Sequence, residues 1–85
     1  DGEALLLLGQ HYARNGDDEQ AIFYFERAAS IEEHEADAKV RHAQVLVKNG
    51  KYKEALPLLR SAQQLDPREN VQEYLEQVER VAQGR

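Results

Sequence analysis

Eighty-five residues, no cysteine and a net charge of −5 point to one small domain with neither a disulfide framework nor a thiolate metal site. The negative charge argues against a nucleic-acid partner, whose polyanionic backbone is held chiefly by lysines and arginines. The longest apolar run, Ala4 to Leu8, falls far short of the roughly 20 residues that span a bilayer, so membrane insertion is not expected. In chain order, Leu5, Leu8 and Tyr12 recur at helical spacing in a first predicted helix over about 3–15. Gly16 ends it, because glycine adopts the left-handed conformation that closes a helix. Asp17 with Gln20 forms a capping box that opens a second helix, about 18–31. A third, about 36–49, stops at Gly50, and a fourth covers about 52–65. Pro57 lies near the first turn of that fourth helix, where a missing donor leaves the helix continuous with a slight bend at most. Asp66-Pro67-Arg68-Glu69 repeats the capping device with proline at the first helical position, and a last helix runs to about Ala82. No segment reads as a strand, so the fold class is all-α.

Sliding the chain against itself by 34 residues aligns Ala4 with Ala38, Gln10 with Gln44, Asn15-Gly16 with Asn49-Gly50, Ala21 with Ala55 and Ala28 with Ala62. The chain is therefore an internal repeat, 2–34 and 36–68, each copy a helical hairpin, followed by a capping helix within 67–83. Small residues at Gly9, Ala21, Ala28, Ala43, Ala55 and Ala62 let helices approach closely. Leu5, Leu8, Tyr12, Phe25, Ile31, Leu46, Leu56, Leu59 and Leu65 are expected to fill the space between them. The last helix carries Val71, Tyr74, Leu75, Val78, Val81 and Ala82 along one side and polar residues on the other, which suits a terminal cap. Charge is uneven: −6 over 1–34, +3 over 35–68 and −2 over 69–85. These charges read as solvated helix faces, or the basic middle (Lys39, Arg41, Lys48, Lys51, Lys53) meets an acidic partner.

Leu5-x-x-Leu8-Gly9-x-x-Tyr12 with Ala21, Phe25 and Ala28, then Ala55, Leu59, Ala62 and Pro67, resembles the tetratricopeptide repeat (TPR) over residues 2–68. The second copy departs from the signature with Lys39, His42, Ala43 and Leu46, and the first has Glu33 in place of the closing proline. The resemblance implies an α-solenoid of two hairpins plus a cap, and a scaffold or adaptor that binds a protein or peptide in a concave groove lined by first helices. Its groove positions fall on Glu3, Leu6, Gln10, Ala13 and Arg14, and on Asp37, Val40, Arg41, Gln44, Val47 and Lys48. One family subgroup clamps the C-terminal carboxylate of chaperones; the matching positions hold Leu6, Gln10, Arg41, Val71 and Leu75, so that clamp is not expected.

The four consecutive leucines, Leu5 to Leu8, cannot all point into one hairpin, so Leu6 or Leu7 calls for an outside cover. Preceding repeats in a longer array, a second copy of the chain or a bound ligand would each supply one. The alternative function is thus a structural solenoid or self-association element acting through the Leu-rich first helix, at Leu6 and Leu7, as the C-terminal part of a longer repeat array. Catalysis is not expected: His11, His34 and His42 make no recognisable pairing with a nucleophile, and His34-Glu35-Ala36-Asp37-Ala38 lacks the second histidine of a zinc-protease helix. Asp17, Asp18 and Glu19 lack calcium-loop spacing, and no metal or other cofactor is implied.

Overall fold

The computed structural model describes residues 1–84, which form five α-helices and, among those residues, no strand. Helix α1, Gly2–Arg14, starts at Asp1, whose carboxylate accepts from the Ala4 N–H at 2.9 Å. At its end Gly16 takes φ +79°, and the Gly16 and Asp17 N–H groups donate to Ala13 O at 3.2 Å and Tyr12 O at 2.9 Å. Helix α2, Asp18–Ala29, opens as the capping pattern requires, Asp17 Oδ1 accepting from the Gln20 N–H at 3.3 Å. Helix α3, Glu35–Lys48, closes like α1 with Gly50 at φ +78°. Helix α4, Tyr52–Leu65, runs unbroken through Pro57, and α5 covers Glu69–Gln83.

Two boundaries differ from the sequence expectation. Helix α2 stops two residues early: Ser30 Oγ donates to Arg27 O at 2.6 Å and the chain tightens into a 3₁₀ turn, Glu32–His34. Helix α5 starts two residues late, and its Asp66 capping box does not form. Proline at 67 disfavours helical backbone at Asp66, which adopts φ −150°, ψ 86°. The Asp66 carboxylate then accepts from Arg68 at 2.7–2.8 Å, and the Arg68 N–H donates to Gln63 Oε1 at 2.9 Å.

Antiparallel α1 and α2 form one hairpin and α3 and α4 a second; α2 packs on α3, and α5 packs on α4. The core has two cells. Leu6, Ala21, Phe25, Ala28, Ala38 and Val45 make the first; Ala43, Leu46, Ala55, Leu59, Leu75 and Val78 make the second, with Ile22 packed against both. Close approach is enforced at Gly9, where any added Cβ would overlap the Phe25 ring. Ala21, Ala28, Ala38, Ala43 and Ala55 are wholly buried, so the helix crossings rest on small side chains.

The expected core needs two corrections. Leu8 and Leu65 are 40% and 51% exposed; Leu8 lies on the side of α1 away from α3, and Leu65 is the last residue of α4. The run of four leucines is also resolved differently. Leu6 is 7% exposed and belongs to the first core cell, needing no outside cover, whereas Leu7 is 60% exposed.

Candidate functional site: the α1–α3 groove

On α1, Glu3, Leu7, Gln10 and Arg14 fall on one stripe, since residues three and four apart stack on a helix face. On α3 the same spacing gives Asp37, Arg41, Gln44 and Lys48. Between the two stripes lies an open depression of about 220 Å³, lined by Ala13 and Arg14 of α1, Phe25 of α2, and Arg41, Gln44, Val45 and Lys48 of α3. Its floor is apolar and its rim is polar.

Five of the sequence-derived groove residues, Ala13, Arg14, Arg41, Gln44 and Lys48, are thus brought together. Gln10 adjoins them: with its amide oxygen turned toward α3 it accepts from the Arg41 guanidinium, Nη2 at 3.1 Å. Leu6, Val40 and Val47 do not line this depression. Leu6 is in the first core cell, and Val40 and Val47 are half-buried against the second. Their exposed counterpart is Leu7, one residue along from Leu6. Helical spacing from Gln10 and Arg14 would have found it. The floor residues Phe25 and Val45 were also missed as site residues, because a core side chain that forms the bottom of a depression carries no separate sequence signal.

Some rim cations are already engaged. Arg41 Nε pairs with Asp37 at 3.2 Å, and Lys48 Nζ reaches Asp18 at 3.0 Å and the Ala13 carbonyl at 3.3 Å. Asn49 donates to the second Asp18 oxygen at 2.8 Å. The hydrogen bonds from Asn49 and then Lys48 hold the Asp18 carboxyl below its usual 3.8, against an opposing effect of desolvation. These contacts join the end of α1, the start of α2 and the end of α3, fixing the width of the groove at that end. Arg14 and Gln44 make no hydrogen bond or ion pair among the described residues, so their polar groups face the open space.

The groove stops at α3. A further shift of 34 residues turns Asp37, Arg41, Gln44 and Lys48 into Val71, Leu75, Val78 and Ala82, all four buried. Val71 and Leu75 also occupy two carboxylate-clamp positions, and Leu6 a third. A larger hollow of about 310 Å³ lies at the start of α4 beside Ala82. It is walled by one helical turn and a single alanine, which gives an extended segment nothing to lie along. Among the described residues, no three histidine, aspartate or glutamate side chains gather to hold a metal ion, and no helix is long and apolar enough to cross a membrane.

Comparison with curated proteins found no match. Among protein families, the model described as anaphase-promoting complex, cyclosome, subunit 3, matches residues 14–75, from the end of α1 into α5. Repeats of this type are a non-enzymatic fold that generally mediates protein–protein interaction. With two stacked hairpins, a terminal helix and this match over most of its length, the chain belongs to that TPR-type repeat family.

Proposed function

We infer that the 85-residue chain acts as one unit, two repeats and a cap, and that this unit is a non-catalytic adaptor holding a short segment of a partner protein in the α1–α3 groove. The observation that carries this reading is the convergence of Ala13, Arg14, Arg41, Gln44 and Lys48, from two different helices, over the floor made by Phe25 and Val45. Gln44 offers an amide to a partner's backbone, Leu7 offers exposed apolar surface, and Arg14 offers an unpaired charge. A free C-terminal carboxylate is not the segment's anchor, since Leu6, Val71 and Leu75 fill clamp positions and are buried.

The test is selection of binders from a random peptide library displayed on phage, followed by affinity measurement against groove variants. Peptides selected on the native chain lose roughly 10-fold or more in affinity toward Leu7→Glu and Gln44→Glu, as truncating central contacts does elsewhere. They bind Glu73→Lys, altered on the outer face of α5, as they bind the native chain. Selected peptides indifferent to both groove substitutions would refute the groove.

A further inference from the structure

The basic middle of the sequence does not form one patch. The fold sends Lys39 into the α3–α4 contact, where its Nζ donates to Glu35 and to Ser61 Oγ, both at 2.7 Å. Lys51 and Lys53 go to the hollow at the start of α4, which Glu54 also lines. Arg41 and Lys48 instead join Arg14 of α1 at the rim of the α1–α3 depression, around Ala13, Phe25 and Val45. No carboxylate is among the described residues that line it. A smaller depression between α3 and the α4–α5 turn, by contrast, is lined by both Asp37 and Asp66.

Two parallel helices bring these cations together. His34, just before α3, lies against Gly2 at the start of α1, where an added Cβ would overlap the imidazole ring. At the other end Lys48, the last residue of α3, donates to Ala13 O in the last turn of α1. The basic last turns of α1 and α3 therefore stand side by side. The acids near them are committed. Asp17 caps α2 through the Gln20 N–H, Asp18 accepts from Lys48 and Asn49, and Asp37 accepts from Arg41 Nε. Donor capacity remains all the same. Lys48 Nζ keeps a third hydrogen beyond those given to Asp18 and Ala13 O, and Arg41 keeps Nη hydrogens beyond those the Gln10 oxygen accepts.

We propose, resting on the groove reading above, that the partner segment held there is acidic and apolar at once. It sets a large apolar side chain over Phe25 and Val45 and, within about four residues of it, one helical turn, a side-chain carboxylate among Arg14, Arg41 and Lys48. The apolar floor accounts for the first element. The second follows from charge complementarity, because guanidinium and ammonium groups around a dry floor form charge-assisted hydrogen bonds with a carboxylate. The chain as a whole carries −5 and repels acidic peptides, so long-range attraction would favour basic ones. A preference for acid thus has its source in this local cluster.

The test takes peptides selected on the native chain from a random library, prepared with amidated C-termini, and measures their affinity by fluorescence anisotropy. The selected peptides carry Asp or Glu within about four residues of a large apolar residue. Changing that acid to its amide weakens binding roughly 5-fold or more, as does Arg14→Glu. Arg80→Glu, the same change of charge at an exposed position on α5, leaves binding as it is in the native chain. Peptides that lose affinity toward Leu7→Glu and Gln44→Glu, yet bind equally well as acid and as amide, overturn this inference and leave the groove standing. Equal losses from Arg14→Glu and Arg80→Glu overturn it too. Peptides indifferent to Leu7→Glu and Gln44→Glu overturn both.

Discussion

Leu6 and Leu7 are neighbours in sequence, yet one is core and the other is surface. Each helical step turns a side chain by about 100°, so a one-residue error in register moves a position from the groove to the inter-helix contact. That is why Leu6 lies in the first core cell and Val40 and Val47 are half-buried against the second, while Arg14, Arg41, Gln44 and Lys48 line the depression. Residue identity alone could not separate them, because leucine and valine suit either face. His42 shows the opposite case, a polar residue where the repeat signature wants an apolar one. It is half-buried between the hairpins, and loss of hydration holds its pKa below the ordinary 6.5, with the Glu26 charge opposing in part. Over that window the unfolded chain binds more protons than the folded one. Stability therefore falls as pH drops through 6.5, and levels off once the folded value is passed. Urea midpoints measured from about pH 7.5 to about pH 5 should show this decline, and His42→Gln should remove that part of the slope. Equal slopes in the two proteins would show that His42 does not titrate against folding.

At the level of elements, turn chemistry was the most legible part of the sequence. Asn-Gly at both hairpin turns and Asp17 with Gln20 are local signals whose outcome depends on a few bonds, and both glycines take the left-handed conformation that they announce. Boundaries governed by competition were less legible. Asp66 can cap a following helix or pair with Arg68, and Pro67 decides for the latter by holding Asp66 out of helical geometry. Ser30 likewise shortens α2 through a bond to its own turn. Pro57 remains a local flaw in α4: it is exposed, and its ring nitrogen cannot donate to the Lys53 carbonyl one turn earlier. Replacing Pro57 by alanine should raise unfolding stability by about 1–3 kcal/mol, up to the full helix-interior penalty of proline. Chemical denaturation measures this. A loss of stability would mean that the proline ring contributes packing that outweighs the missing bond.

For the whole molecule, the 34-residue repeat made the stacked-hairpin architecture readable before any coordinates. The groove was readable only in part, since a depression depends on how far apart two helices stand. That spacing is set by contacts distant in sequence: Gly9 against Phe25, and Lys48 against Asp18 and the α1 carboxyl end. The same repeat sets α5 against α4 as a further helix after the second hairpin. It also shows where the groove ends, because the polar stripe of α3 turns apolar and buried in α5. The α1–α3 groove is the surface proposed to receive a partner segment. Its most direct test is an amide chemical-shift titration of the isotope-labelled chain with a library-selected peptide. The account predicts that the largest shifts cluster at Leu7, Gln10, Ala13, Arg14, Arg41, Gln44 and Lys48, with α5 silent. Saturable binding whose shifts fall on α4 and α5, leaving those seven residues unmoved, would contradict it.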